Sequence, residues 1–573
     1  MSMVKTVIDR SRDLSQSLDN LGPDERMKAN SDYLRGSIAQ GLLDRVTAAI
    51  PSSDDVKLMK FHGIYQQDDR DLRNERRQQK LEPAYQFMIR VRLPGGVCTP
   101  SQWLKIDDLA RSNGGETLRL TTRQTFQFHW VLKHNLKNVI QGLHDTLLDT
   151  IAACGDDSRG VMCTVDPQCS ALHADVATIA KRVSDHVIPK TRGYHEIWYG
   201  DQRVVSSEQE EPFYGATYMP RKFKIGFALP PSNDIDVYAQ DLGLIAIGEP
   251  GKLEGFNVAI GGGMGRSDKA PNTYPRLANV IGYVPAKQLL ACVDAVMGFQ
   301  RDYGDRKERQ NARFKYTIDE KGLDWTTKEI ERRMGFDFEV SRPFFFEANG
   351  DSFGWTRTDD GKHHFTMFIE NGRISGSLMN CLRDIARVHQ GTFRLTPNQN
   401  LIIAGIEDQY RQTIENLLEN YRGNLSDISV LRRNSMACVA LPTCGLAMAE
   451  SERYLPELVS KIEVLLRQKG LEKQPLTLRM TGCPNGCSRP YIAEIALTGR
   501  APGKYNLYLG GGFHGQRLNR MVRENIGEEI ILETLDQAFS RYADEKLPNE
   551  YFGDFCIRAG IVDEVVEGRF FND

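Results

Sequence analysis

The sequence predicts a mixed α/β fold, α+β in layout and built by internal duplication, and three observations predict it. The chain matches itself at a shift of 275 residues: Arg119, Leu120, Thr121 and Gln124 match Arg394, Leu395, Thr396 and Gln399, and with no gap Cys163, Pro167 and Cys169 match Cys438, Pro442 and Cys444. Each half alternates strand-like runs ("TFQFHWV", "NLIIAGI", "NLYLGG") with amphipathic helical ones ("SQWLKIDDLARS", "PELVSKIEVLLRQKG"). The chain has 573 residues, enough for roughly three to five cores of ordinary domain size.

Taken in order, residues 1–75 lie outside the repeat and read as a polar, helix-prone arm, free to dock a partner. "FMIRVRLPGGV" opens the first repeat unit, 76–152, and resembles "FTMFIENGRI" in its partner unit, 349–425, with one residue of slippage. Residues 153–348 complete the first half, with "GDQRVVSSEQEEPF" (200–213) as an exposed loop special to it, and 426–573 complete the second. "GKLEGFNVAIGGG" and "GKYNLYLGGG" mark equivalent strands of these two parts.

Composition narrows the function. With 40% hydrophobic residues, 26% charged and a formal net charge of -3, no global excess of charge calls for nucleic acid or a membrane surface, so any anion site is local. The first thirty residues carry charges throughout, and no apolar run approaches the ~20 residues of a membrane span, so the expectation is a soluble, cytoplasmic protein. Eleven cysteines in so long a chain are no disulfide framework; clustered ones bind metal or are buried.

The halves differ in chemistry. "RMTGCPNGCSRP" gives the second half Cys438, Cys444, Cys483 and Cys487, spaced C-x5-C, a gap of 38, then C-x3-C. Structural zinc sites favour C-x2-C knuckles, and wider unequal steps suit a cubane cluster, although spacing alone leaves both open. Pro484, Asn485 and Gly486 allow a bent backbone whose amides face sulfur. In the first half "MPRKFKIGF" is read as standing where "GCPNGC" stands, which leaves Cys163 and Cys169 as small packing residues.

That half carries positive charge instead: Arg90, Arg92, Arg119, Arg123, Arg159 and the Arg221, Lys222, Lys224 group. Strand periodicity puts Lys222 with Lys224, and Arg90 with Arg92, on common faces. The second-half counterparts of Arg90 and Arg123, Thr366 or its neighbour and Asn398, are uncharged. One half holds a cluster and the other holds an anion.

Together "YLRGSIAQGL", "FHGIYQQDDRDLRNER", "LEPAYQFMIRVRLPGGV", "RLTTRQTFQFH", "YMPRKFK", "NQNLIIAG", "NSMACVALPTCGLAMAE" and "TGCPNGCSRPYIAE" resemble the sulfite and nitrite reductase family over nearly the whole chain. The resemblance implies a three-domain, pseudo-two-fold architecture with paired ferredoxin-like units. It implies a 4Fe-4S cluster on Cys438, Cys444, Cys483 and Cys487, with Cys487 also the axial ligand of a siroheme iron. Sulfite would bind among Arg90, Arg159, Lys222 and Lys224. Arg119, Arg123 and Arg221, with Gln127 and Asn485, would surround the siroheme, the arginines as counter-charges to its carboxylates. A flavoprotein subunit carrying FAD and FMN would supply electrons, within cysteine biosynthesis. Two departures stand out: Gly445 follows Cys444 where relatives carry Pro, and Cys169 is unexpected.

The chemistry agrees with that implication. Removing three oxygens from sulfite with six electrons needs an electron relay and proton donors; Arg grips oxyanions, and a Lys crowded by cations releases a proton near neutral pH. Gly510, Gly512 and Gly515 fit G-x-G-x-x-G, but without a βαβ unit and ribose-binding acid they are read as turns approaching a cofactor, not as a dinucleotide site. The rivals are a siroheme nitrite reductase, against which "QQDDRD" and "RKFK" weigh, and a zinc-stabilised nucleic-acid-binding protein, against which the lack of aromatics around the basic positions weighs.

Overall fold

The structure is a computed structural model that describes residues 18–572 except 166–169, 191–196, 200–201, 206–210 and 422–427. Cys169 lies outside the described residues. Four five-stranded sheets form two matched pairs. The first sheet runs β1 (Ile64–Asp68), β2 (Tyr85–Arg90), β5 (Phe126–Val131), β4 (Thr117–Leu120) and β15 (Arg373–Ser375); the second runs β13 (Gly354–Arg357), β14 (His363–Met367), β17 (Leu401–Ile406), β16 (Thr392–Leu395) and β3 (Val97–Cys98). Each borrows its last strand from the other half, so the two units are interlocked. The helix Pro100–Asn113 starts in a capping box between Thr99 and Gln102, with Pro100 in the first turn where no N–H is needed. Its Trp103 and Ile106 meet Leu382 and Ile385 of the helix Gly376–Val388 in one core shared by both units.

The other pair repeats a second topology. The third sheet runs β6 (Met162–Cys163), β9 (Ile225–Ala228), β10 (Leu242–Glu249), β11 (Lys252–Ile260), β12 (Asn279–Pro285), and the fourth β18 (Ser435–Ala437), β19 (Leu478–Thr481), β20 (Ile495–Ala501), β21 (Lys504–Leu509), β22 (Arg520–Ile526). In both, the first three strands are parallel and the last two antiparallel. The predicted mixed, duplicated fold is what the chain adopts. Part of the loop expected at 200–213 is strand: β8 (Gln202–Val205) pairs with β7 (Ile197–Tyr199).

Register corrects two readings. Ile225 pairs with Leu242, and Leu478 with Ile495, so "RKFK" precedes its strand whereas "GCPNGC" follows its own. The first-half equivalent of the cysteine loop is therefore 229–241, "LPPSNDIDVYAQD", and not "MPRKFKIGF". Cys163 pairs with Phe227 as Ala437 pairs with Met480; the next residues, Thr164 and Cys438, donate their N–H to the same two carbonyls at 2.8 and 3.2 Å. Thr164, one position on from the motif match, is thus the counterpart of Cys438. A one-residue slip turns a side chain to the opposite face, and Cys163 accordingly lies in the apolar core with Phe227 and Val258.

The N-terminal reading is also corrected. Residues 18–75 are no free arm: Ile50, Met59 and Ile64 enter the shared core, and Leu34, Leu58 and Phe61 the first-half core. Lys28 is fully buried, donating to Glu25 at 2.6 Å and to the Met219 carbonyl at 2.8 Å, and Arg306 pairs with the same glutamate. A polar composition concealed this because its charges are buried in pairs.

Candidate active site

The four second-half cysteines sit at the ends of two adjacent parallel strands. Cys438 follows β18 and Cys444 lies in the turn beyond; Cys483 and Cys487 follow β19. The two loops are tied together, since Met448 and Ala449 both donate to the Gly482 carbonyl at 2.7 and 3.1 Å. Gly482 is required there, because a Cβ would stand 2.5 Å from the Ala440 methyl and 2.6 Å from the Ala449 carbonyl. Its N–H donates to the Cys438 sulfur at 3.3 Å, and Asn485 Nδ2 reaches the Cys483 sulfur at 3.6 Å. Gly445 stands in open space.

Burial and then the charge of Cys487 push the Cys438 thiol up to about 12, and the same causes raise Cys444 and Cys483. Thiols held this firmly as S–H become ligands only when metal displaces their protons. The four are close enough to sense one another, yet among the described residues no three His, Cys, Asp or Glu side chains converge on a single-ion site. Four thiols on two tied loops, with the Gly482 N–H and Asn485 Nδ2 turned to two of the sulfurs, suit a thiolate-held cluster.

Cys487 is the most exposed of the four, and it faces the cations. Its carbonyl accepts from the Thr122 hydroxyl at 2.9 Å, which sets it next to Arg123. Arg159 donates its N–H to the Phe223 carbonyl at 2.8 Å, which sets it beside "RKFK". Burial, then the surrounding cations, holds the ammoniums of Lys222 and Lys224 well below the lysine range; Arg221 and Arg313 act most on the first and Arg123 on the second. Neither ammonium has a hydrogen bond or ion pair among the described residues, and both residues are half-buried. Two cations without acids, on a wall of further cations, suit a polyanionic cofactor and an oxyanion.

Across the first sheet, Arg90, Gln127 and Arg119 lie in register on β2, β5 and β4. Arg123 gives its Nη groups to Gln240 and the Gly160 carbonyl at 3.0 and 2.6 Å; burial and then Arg159 bring it down to about 9. Two expected counter-charges already have acids: Arg119 pairs with Glu452 at 2.8 Å and donates to Ala437 O at 3.0 Å, and Arg221 lies 3.4 Å from Asp156. Arg119 therefore ties the first sheet to the cysteine loop. Arg92 is not at the site; its guanidinium holds Ala152, Ser158 and Ser184.

Several participants were not singled out by sequence. Arg70, in "QQDDRD", donates to the Cys444 carbonyl at 3.0 Å and clamps the cysteine turn from the N-terminal segment. Buried Asp236 holds Arg479 at 2.7 Å and Arg489, two residues past Cys487. The glycine runs also pack the protein against itself. A Cβ at Gly262 would meet Tyr238 O at 2.2 Å, and one at Gly511 would meet Ala493 O at 2.2 Å, so the close approach is to protein backbone. Lys315, fully buried, donates to Gly263 and Gly265 carbonyls at 3.1 and 2.7 Å, and Arg266 N–H of that loop donates to Pro484 at 3.1 Å, backing the "CPNGC" turn.

Comparison with known proteins places this geometry. The nitrite and sulphite reductase 4Fe-4S domain model matches residues 178–338, and the nitrite/sulfite reductase ferredoxin-like half domain model matches 78–146 and 356–421. The first span holds Lys222 and Lys224, while the four cysteines lie in its repeat. The chain is 67% identical over 567 residues to the sulfite reductase (NADPH) hemoprotein beta-component of Nitrosomonas europaea, covering 99% of each chain. It is 57% identical over 556 residues to that of Oceanobacillus iheyensis, covering 96% of each. Mycobacterium tuberculosis NirA shares the fold with a TM-score of 0.78 at 22% identity, over 96% of this chain and 98% of that one.

Proposed function

Because this chain belongs to the nitrite and sulfite reductase family, we infer that it is the hemoprotein component of an NADPH-dependent sulfite reductase. It reduces sulfite to sulfide by six electrons, using a siroheme and a 4Fe-4S cluster. The observation that carries the site assignment is the place of Cys487: it follows β19 beside the other cysteine loop, and its carbonyl accepts from the Thr122 hydroxyl at 2.9 Å, next to Arg123 of the cationic half.

Cys438, Cys444, Cys483 and Cys487 would hold the cluster, with Cys487 shared with the siroheme iron; Gln127, Asn485, Arg123 and Arg221 would line the siroheme. When bound, these groups supply the electrons and the iron at which sulfur is reduced. The remaining chemistry belongs to side chains. Arg90 and Arg159 grip sulfite oxygens through their planar guanidinium forks. Lys222 and Lys224, whose ammoniums are destabilised by burial and by neighbouring cations, give up protons to departing oxygens more readily than an exposed lysine. Arg119 holds its pair with Glu452 and keeps the cysteine loop against the first sheet.

The electron donor in this reading is a flavoprotein subunit carrying FAD and FMN, and the protein works in the cytoplasm. No helix among the described residues is long and apolar enough to cross a membrane. The test is sulfide production from sulfite by the purified chain with a reduced dye. Sulfite-dependent turnover with dye, and none with NADPH until flavoprotein is added, is expected. Turnover with NADPH alone would overturn the division of labour.

A further inference from the structure

Arg90 has no acidic partner among the described residues, and what holds it is uncharged. Its Nη1 donates to the sulfur of Cys154 at 3.0 Å. In the amide orientation that satisfies both ends of Gln127, the carbonyl accepts from Nη2 at 2.6 Å and Nε at 3.3 Å. Cys154 is fully buried, in the segment that leads to Arg159. On its other side stands Tyr65 of β1, whose side chain is hydrogen-bonded to Cys154 and senses both Arg159 and Arg90. The Lys60 ammonium lies 5.6 Å from the centre of the Tyr65 ring.

We propose that Cys154, itself held by Tyr65, is a positioning residue that fixes the Arg90 guanidinium for sulfite while leaving its charge unspent. An arginine without a partner samples many rotamers, and ordering it on binding costs affinity. An acid would order it equally well but would neutralise it, and an oxyanion would then meet a closed ion pair. A thiol and an amide carbonyl accept hydrogen bonds without adding charge, which resolves that conflict. Neither residue touches the reacting atoms in this reading, so both act through Arg90.

The inference rests on Arg90 belonging to the anion site, and the test separates the two. Sulfite affinity is measured by optical titration of the cofactor-loaded protein, with KM and kcat from dye-driven turnover. Cys154→Ala is expected to raise sulfite Kd and KM about ten- to hundredfold with kcat little changed, the size of one lost hydrogen bond to a charged group. Cys154→Ser, which can still accept from Arg90, is expected to recover most of that loss. Tyr65→Phe, which removes only a hydroxyl, is expected to give a smaller rise in the same direction. Cys154→Asp is expected to weaken sulfite most, by closing an ion pair on Arg90. Equal effects of Ala and Ser, or an Asp variant that binds as the wild type does, would overturn the proposal. If Cys154→Ala fails to load cofactors, Tyr65→Phe and Cys154→Asp decide it. If Arg90→Ala leaves affinity unchanged the site assignment itself fails; if it weakens sulfite while the Cys154 series does not, only the positioning role fails.

Discussion

Replacing Asp236 by Asn should cost more stability than any surface change, and the reason is local. Asp236 is buried on the loop after β9, with Arg479 Nη1 2.7 Å and Nη2 3.3 Å from its two oxygens and Arg489 Nε on the same carboxylate. Burial opposes its charge, but the two arginines hold its carboxyl below the usual aspartate range. Asn keeps the shape and removes the charge, leaving two buried guanidiniums unopposed. Breaking such a pair by removing one partner costs about 3–5 kcal/mol. Arg489 also donates to the Thr122 carbonyl at 2.7 Å, beside the Thr122 hydroxyl that holds the Cys487 carbonyl at 2.9 Å, so the cluster turn should loosen as well. The assay is denaturant unfolding of the loaded protein, with acid-labile sulfide measured alongside. A folded-state value below the unfolded one gives stability that is present above the unfolded value and lost as pH falls through the folded one. The gap between wild type and variant should therefore persist at neutral pH and close below about pH 4. A loss under about 1 kcal/mol at pH 7 would refute the reasoning.

Cys163→Ser should keep iron, sulfide and activity and cost on the order of 1 kcal/mol of stability, whereas Cys438→Ser should lose cluster iron; iron analysis of the two variants checks this. Lys222→Met should lower turnover by about a hundredfold while weakening sulfite less, read as kcat against Kd. Because the Lys222 and Lys224 values lie well below the lysine range and an anion raises them, sulfite binding near neutral pH should take up protons; calorimetry in two buffers of different ionisation enthalpy reads the uptake, and none would contradict it. Deleting residues 1–60 removes Leu34, Ile50, Leu58 and Met59 from two cores, so soluble protein with full dye activity would contradict the packing described for this segment.

The duplication was legible because glycine runs, "RLTxxQ" and the cysteine steps recur at nearly constant spacing, and spacing survives folding when strand pairing is repeated. The four second-half cysteines were legible as a set for the same reason. What sequence could not set was register: Cys163 and Cys438 match by motif, but the strand pairing displaces them by one residue and so to opposite faces. "MPRKFKIGF" was misplaced because a loop before a strand and a loop after it look alike until Ile225 and Leu478 are paired with their neighbours. Arg119 read as a free counter-charge because its acid, Glu452, is remote in sequence. Tyr65 and Arg70 stood inside a quoted motif without a role, and Cys154 and Asp236 gave no sign, since the partners that give them meaning are distant in sequence.

In the proposed site the Cys487 thiol joins the cluster to the cationic half. The direct measurement is the visible spectrum, iron and acid-labile sulfide of purified Cys487→Ser beside the wild type. The wild type should show siroheme absorption with iron in excess of sulfide, and the variant should lose cluster sulfide together with a changed siroheme spectrum. A variant that keeps its sulfide and an unaltered siroheme spectrum, or a colourless wild type, would contradict it.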